Sequence, residues 1–196
     1  MSITFEKGDA ARDYQYDPGA MILQQNNCTA CKLHPGSFAW NLASILPYSD
    51  PYSSRTPTSH YPNLAIITDR PLPGSIEIRK CATAEKPQRP SVCCLFAQYR
   101  MGGNGKNFYY QNAKHVDLEY LQTPDDPASR VVYFRSAMDN LKLLLRNGGE
   151  PGINKIIIPH FIGCGAAGGN WAEYLPIIRE FADSIKSKKI IVVARK

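Results

Sequence analysis

The sequence has no long apolar run and no leader-like start. None of its segments approaches the ~18 consecutive apolar residues that a membrane-spanning helix needs. The opening residues MSITFE lack a basic stretch followed by an apolar one. These two absences predict a soluble protein of the cytoplasm, with the nucleus left open. In such a compartment we expect the six cysteines to be thiols rather than disulfides.

The chain also lacks a basic tract interleaved with aromatic residues, the pattern typical of a nucleic-acid groove. Its formal net charge of +6 is instead spread along 196 residues. A scattered excess of positive charge favours a small polyanionic ligand over a nucleic-acid strand, and RNA binding stays a minor alternative. The length suits one domain with a single core, and we expect a monomer.

A metal site is incomplete in the sequence. Cys28, Cys31 and His34 follow the spacing Cys-x-x-Cys-x-x-His, but the second pair of a four-ligand site is missing. The segment also lacks the context of a thioredoxin-like redox pair. We therefore expect no metal and no other cofactor, and we interpret the two cysteines as ordinary loop residues.

Segments with strand-like composition alternate with segments of helical spacing. Helices are predicted over residues 38–46, over 127–146, where Asp126 is the expected N-cap and Gly148 follows the end, and after Asn170. A strand-rich first half and a βαβ-like last third predict an α/β class domain with three α/β/α layers around a mixed sheet. Strands are predicted over residues 3–6, 20–25, 64–68, 74–79, 91–98, 155–159 and 189–193.

The most informative segment is glycine-rich and lies near the C-terminal end. A β-branched run, 155–159, leads into Gly163-Cys164-Gly165-Ala166-Ala167-Gly168-Gly169-Asn170-Trp171 and then into a helical pattern. A turn of this kind collects backbone N–H groups and a positive helix end at one place, which suits a phosphate. The alternative is a tight turn that only allows close packing of helix on sheet.

The glycine spacing does not indicate a dinucleotide-binding domain of the Rossmann type. Gly163, Gly165 and Gly168 match G-x-G-x-x-G, but they lie in the last βα unit rather than the first. No second strand with an acidic residue follows, and no Gly-Lys-Ser/Thr marks a Walker loop.

Several of these motifs together resemble a macro domain. The resemblance is nearest to the branch of ADP-ribose 1″-phosphate phosphatases and terminal ADP-ribose protein glycohydrolases, and it covers most of the chain. It implies a single macro domain over residues 1–196 whose ligand or partner is ADP-ribose or an ADP-ribosylated protein. The resemblance rests on Gly8-Asp9, Asn27-Cys28, Gly36-Ser37-Phe38-Ala39, the strand 93–98 and the segment 162–171.

The resemblance also implies roles for individual residues. Asp9 would accept a hydrogen bond from the adenine amino group, and Asn27 would bond the distal ribose by donating and accepting at once. As alternatives, both side chains only cap turns. The backbone of the glycine loop and of the first helix entry would hold the diphosphate. The implied substrate-binding residues are Asp9, Ala10, Asn27, Gly36, Ser37, Phe38, Ile162, Gly163, Cys164, Gly165, Ala166, Ala167 and Gly168.

Two departures from the macro domain pattern concern catalysis. The segment from Lys32 to Ser37 replaces a triple-glycine stretch, so that His34 becomes a candidate general acid or base. The alternative is that His34 is an exposed loop histidine without a catalytic role. Asn170 stands where relatives often have aspartate, and an amide cannot act as a base. His34 and Asn170 are thus the catalytic candidates for hydrolysis at the distal ribose, of either a 1″-phosphate or an ADP-ribosyl link to protein. The alternative is a reader that binds ADP-ribose without turnover.

Overall fold

The computed structural model describes residues 3–82, 89–103, 110 and 113–195. The strands are β1 (Thr4–Lys7), β2 (Ala20–Asn27), β3 (Ile76–Arg79), β4 (Ser91–Gln98), β5 (Lys155–Pro159) and β6 (Lys189–Ala194). The helices are α1 (Phe38–Ile45), α2 (Leu118–Gln122), α3 (Pro127–Arg146) and α4 (Trp171–Ser184), and two 3₁₀ turns cover Pro47–Ser49 and Ile67–Asp69.

The strands form one mixed six-stranded sheet in the order β1-β6-β5-β2-β4-β3. The strands β1, β6, β5, β2 and β4 run parallel to one another. The edge strand β3 runs antiparallel to β4. The carboxyl ends of the five parallel strands therefore meet at one edge of the sheet. In open α/β sheets that edge is where ligands bind.

Helices cover both faces of the sheet, as the three-layer prediction requires. Successive residues of a strand point to opposite faces, so the adjacent Cys93 and Cys94 enter different cores, and both are fully buried. Cys93 belongs to the core that contains Phe134 of α3 and Tyr174 of α4. Cys94 belongs to the core that contains Leu42 of α1. None of the six cysteines, all of which lie in the described ranges, forms a disulfide.

Most predicted elements are confirmed, but the strand over residues 64–68 is wrong. Leu64 and Ala65 make only isolated bridges, and a 3₁₀ turn begins at Ile67. The backbone of Ala65 forms hydrogen bonds with loop residues and not with a neighbouring strand. Its N–H donates to the Thr29 carbonyl, and its carbonyl accepts from Arg70. The short helix α2 was not predicted. No helix in the described ranges is long and apolar enough to cross a membrane.

A partly buried ion pair fixes α2 to the segment that follows Ala65. Asp117 is the N-cap of α2, and Arg70 donates to its two carboxylate oxygens at 2.9 and 2.7 Å. The Arg70 side chain is 1% exposed. Partial burial alone would raise the pKa of Asp117, but the hydrogen bonds from Arg70 and the Tyr120 N–H outweigh it and lower this pKa.

Asp117→Ala is expected to lower the free energy of unfolding by about 3 kcal/mol at neutral pH, because it removes both charged hydrogen bonds from the buried Arg70 and the N-cap of α2, and leaves only the more distant Glu119, at 3.9 Å, as an acidic neighbour of Arg70. The pKa of Asp117 is lower in the folded state than in the unfolded state. The ion pair therefore stabilises the fold fully at pH values above the unfolded-state pKa. That stabilisation is lost as the pH falls through the folded-state pKa, and the deficit should therefore shrink below a pH of about 4.

Urea unfolding at neutral and acid pH measures this deficit. Asp139→Ala, which removes an exposed partner of Lys142, is the control and should change stability by less than about 1 kcal/mol. Equal deficits for the two variants would contradict the assignment.

Candidate functional site

A cleft of about 1060 Å³ opens at the carboxyl edge of the parallel strands. Its walls come from the segments that follow β1, β2, β4 and β5 and from the end of β6. Of the residues predicted from the sequence, those that line the cleft are Asp9, Ala10, Asn27, His34, Gly36, Ser37, Phe38, Ile162, Gly163, Gly165, Ala166 and Ala167. The three that do not line it are Cys164, Gly168 and Asn170.

The glycine-rich segment 161–169, which we call the anion loop, presents free backbone donors to the cleft. The Gly168 N–H donates to the Gly165 carbonyl at 2.8 Å, and the Gly169 N–H donates to the Gly163 carbonyl at 2.9 Å. These bonds close the loop. The N–H groups of Gly165, Ala166 and Ala167 have no acceptor in the part of the chain that the structure describes. Three consecutive free donors at residues that line the cleft are suited to bind an anion.

Glycine is favoured at position 163 by its left-handed conformation, and any larger residue there would also displace the end of the Gln25 side chain. Gly163 has a φ of +70°, and a Cβ there would lie 2.0 Å from Oε1 of Gln25. Gln25 extends from β2 beneath the loop and donates to Gln98 at 3.3 Å. The role of Gln25 was not predicted from the sequence. The available signal was a glutamine pair, Gln24-Gln25, directly after an apolar run in the same strand.

The opposite wall is the entry of α1. Ser37 is the N-cap, and its Oγ accepts from the Trp40 N–H at 3.1 Å. The N–H groups of Phe38 and Ala39 have no acceptor among the described residues. Gly36 precedes the cap with a φ of +78°. This wall therefore adds two more free donors to the cleft.

The segment between β2 and α1 is held by a cation beneath it. Nη1 of Arg55 donates to the carbonyls of Cys28 at 2.7 Å and Ala30 at 2.9 Å. The same guanidinium lies 4.7 Å from the centre of the Tyr52 ring. Nothing in the local sequence around Arg55 indicates this role, which exists only because distant segments meet.

Asp9 and Asn27 both cap turns, as their alternative interpretations state. Oδ1 of Asp9 accepts from the N–H groups of Ala11 and Arg12 at 2.9 and 3.1 Å. Oδ1 of Asn27 accepts from Thr29 and Ala30 at 3.1 and 2.7 Å. Each side chain keeps one polar atom without a partner among the described residues, Oδ2 of Asp9 and Nδ2 of Asn27. The Asn27 side chain can thus donate to a ligand through Nδ2, but its Oδ1 already accepts two hydrogen bonds from its own turn.

Asn170 is a helix cap rather than part of the cleft lining. Its Oδ1 accepts from the Ala172 N–H at 3.0 Å at the start of α4. An N-cap side chain folds back onto its own helix, so the start of α4, and not the cleft, determines the orientation of the Asn170 side chain. Cys164 also does not line the cleft, and its Sγ donates to the Ile162 carbonyl at 3.4 Å. Burial raises the pKa of Cys164 to about 11, which keeps it a thiol.

The ionisable lining is mainly basic. Asp9 is the one acidic residue among the described lining residues, which also include Lys32, His34, His160 and Arg195. The His160 ring packs 3.9 Å from the exposed Phe161 ring, centre to centre. Among the described residues no three His, Cys, Asp or Glu side chains gather as metal ligands, and Cys28 is fully buried.

The order of the strands arranges these groups in a line. Asp9 follows β1, the anion loop follows β5, and Asn27 ends β2. β1 and β2 are three strand spacings apart in the sheet, on the order of 14 Å. The anion loop lies between them. A ligand that reaches all three must be elongated, with its negative charge in the middle.

Several solved structures with the same architecture are macrodomains. The chain matches the macrodomain of Mycobacterium tuberculosis DarG with 12% identity, a TM-score of 0.58 and coverage of 98% of this chain and 97% of that one. It matches the macrodomain of Thermus aquaticus DarG with 12% identity, a TM-score of 0.54 and the same coverage. The Trypanosoma brucei macrodomain in complex with ADP-ribose matches with 16% identity, a TM-score of 0.50 and coverage of 98% and 63%.

At these identities the comparisons concern the fold. The chain has the macrodomain fold, which confirms the fold that the sequence resemblance implies. No protein-family model matches the chain. No curated protein matches it in sequence either.

Two alanine substitutions distinguish Gly163, whose conformation favours glycine, from Gly165, where there is space for a side chain. Gly163→Ala should destabilise the protein by about 2 kcal/mol, because it forces an alanine into a left-handed conformation and against Gln25. Gly165→Ala is the control, since a Cβ at Gly165 meets nothing within 4 Å. Its stability should equal that of the parent in urea unfolding. Equal midpoints for both variants would mean that the loop geometry is wrong.

Proposed function

We propose that this protein binds ADP-ribose and hydrolyses a derivative of it at the distal ribose. The observation that carries the proposal is the set of free N–H groups at Gly165, Ala166 and Ala167 in the middle of an elongated cleft. Backbone donors of this kind bind the oxygens of a diphosphate. The Trypanosoma brucei macrodomain that matches this fold was solved with ADP-ribose, which supports the same ligand here.

The two ends of the cleft differ in chemistry and suit the two ends of that ligand. Oδ2 of Asp9 is a free acceptor for the adenine amino group, which is a donor. Nδ2 of Asn27 is a free donor for a hydroxyl of the distal ribose. The diphosphate would lie between the anion loop and the N–H groups of Phe38 and Ala39. This orientation directs the distal ribose toward the segment that contains His34.

In the proposed hydrolysis, His34 is the general base. A water oxygen attacks the phosphorus of a 1″-phosphate or C1″ of an ADP-ribosyl link, and His34 takes up the proton of the water. The bond to the leaving group breaks, and the proton passes to the leaving group. Asp9, the acid among the described lining residues, follows β1, whereas His34 lies in the segment after β2, three strand spacings away, so His34 is the better-placed base. The free N–H groups of the anion loop stabilise negative charge on the substrate.

The second candidate is a reader that binds ADP-ribose without turnover. It is favoured by Asn170, which caps α4 and offers no carboxylate. Both candidates share the binding site and differ only in whether His34 acts on the bound substrate. Incubation with ADP-ribose 1″-phosphate and with ADP-ribosylated protein, while released phosphate and ADP-ribose are measured, distinguishes phosphatase, glycohydrolase and reader.

ADP-ribose should bind more tightly than AMP in calorimetry, because AMP lacks the second phosphate and the distal ribose. Gly165→Glu should abolish this binding, since it places an anion in the anion loop, and it should leave the fold intact because the position is open. An oligo(A) strand, titrated at low and high salt, tests the RNA alternative. Parent-like binding by folded Gly165→Glu, or no heat with millimolar ADP-ribose, would contradict the proposal.

If the chain is an enzyme, His34→Ala should lower the rate of product release about 10²–10⁴-fold and change ADP-ribose affinity little. His60→Ala removes a histidine outside the cleft and should keep the parent rate. Asn170→Asp should also keep it, because aspartate is an equally good N-cap. Full activity in His34→Ala would rule out this base, and a faster Asn170→Asp would assign catalysis to the anion-loop side. An inactive parent would favour the reader.

A further inference from the structure

A buried ion pair lies beneath the cleft, outside its lining. Arg130 of α3 is 1% exposed and Asp125 is 2% exposed. Nε and Nη2 of Arg130 donate to Oδ1 and Oδ2 of Asp125 at 3.0 and 2.7 Å. Asp125 also accepts from the N–H groups of Tyr99 and Arg100 at 2.8 and 2.9 Å. The pair is therefore fixed to the end of β4 on one side and to α3 on the other.

The remaining nitrogen of this guanidinium joins two walls of the cleft. Nη1 of Arg130 donates to the Gly102 carbonyl at 3.0 Å and to the Ala167 carbonyl at 2.7 Å. Gly102 follows β4 and Ala167 belongs to the anion loop, and both line the cleft. Arg130 itself does not line it. One buried side chain thus connects the two segments from below.

The bond to Ala167 has a consequence for anion binding. A carbonyl oxygen turned toward the cleft would repel a phosphate. Arg130 engages the Ala167 carbonyl from beneath, while the neighbouring N–H groups at Gly165, Ala166 and Ala167 stay free. Only arginine offers planar donors on three nitrogens in a fixed geometry, whereas lysine offers a single ammonium group.

We propose that Arg130 is a positioning residue that holds the anion loop in its binding conformation by fixing Ala167 to Gly102. The proposal rests on the proposed function for the identity of the ligand, but the geometry of the loop can be tested without any ligand. General stabilisation of the fold is the competing explanation. The experiment must therefore separate loss of stability from loss of the site.

The chain contains a matched control in the Arg70–Asp117 pair. Arg70 is also buried, also pairs with an aspartate and also donates to a backbone carbonyl, that of Ala65. Neither Arg70 nor Ala65 lines the cleft. Arg70→Lys and Arg130→Lys therefore remove similar interactions at two places, only one of which contacts the anion loop.

Both lysine variants should have lower melting temperatures than the parent. Calorimetry below those temperatures should give about tenfold weaker binding of ADP-ribose and of ADP to Arg130→Lys, as expected for a lost hydrogen bond to a charged group. Arg70→Lys should bind both ligands as the parent does. Parent-like affinity in folded Arg130→Lys would overturn the proposal, and so would an equal loss in both variants.

Amide hydrogen exchange supplies the ligand-free readout. The N–H groups of Gly168 and Gly169, which close the loop, should exchange faster in Arg130→Lys and at the parent rate in Arg70→Lys. If the parent binds no ADP-ribose but the exchange rates change as stated, the proposed function fails while the positioning role stands. Unchanged exchange in Arg130→Lys would overturn the role.

Asp125→Asn is the second variant if Arg130→Lys does not fold. The asparagine keeps the shape of the side chain but replaces one acceptor oxygen with an amide nitrogen, so Arg130 is held less firmly. We expect weaker ADP-ribose binding and faster exchange at Gly168 and Gly169. Parent-like behaviour of folded Asp125→Asn would overturn the proposal. Failure of both variants to fold would also overturn it, because it would make the pair a requirement of the fold alone.

Discussion

The site depends on keeping three consecutive backbone N–H groups, at Gly165, Ala166 and Ala167, free of acceptors within the described chain. A loop with free donors needs other interactions to define its shape. Here these are the bonds that close it, from Gly168 to Gly165 and from Gly169 to Gly163, the left-handed conformation of Gly163 and the contacts with side chains beneath. These interactions fix the shape of the loop from within the chain, which lowers the ordering cost of binding.

The sheet sets the length and polarity of the cleft around that loop. Because β6 and β5 separate β1 from β2, the residues that end β1 and β2 are held apart and the anion loop lies between them. Asp9 and Asn27 each use one oxygen to fix their own turn and keep one polar atom for a ligand. The turn caps are therefore compatible with the binding roles proposed for these residues, and each cap orients the free atom.

Sequence reasoning succeeded where the signal is local. The helix from Pro127 and the strand from Ser91 follow from periodicity and caps, and the glycine loop from its own residues. It failed where partners are distant. The segment 64–68 bonds with a loop and with Arg70, and Arg130 acts through Ala167 and Gly102, which no local pattern encodes. Asn170 shows a third limit of prediction from sequence, because an asparagine at this position is equally compatible with a helix N-cap and with a residue of the site.

The central claim is that the free amides of the anion loop bind the diphosphate of ADP-ribose. The most direct measurement is an NMR titration of the isotope-labelled parent protein with ADP-ribose, read at individual backbone amides. The account predicts that Gly165, Ala166 and Ala167 show the largest downfield shifts of their amide protons, as new hydrogen bonds to phosphate form, while Gly148 at the far end of α3 does not move. Binding of ADP-ribose without any shift at these three amides would contradict it.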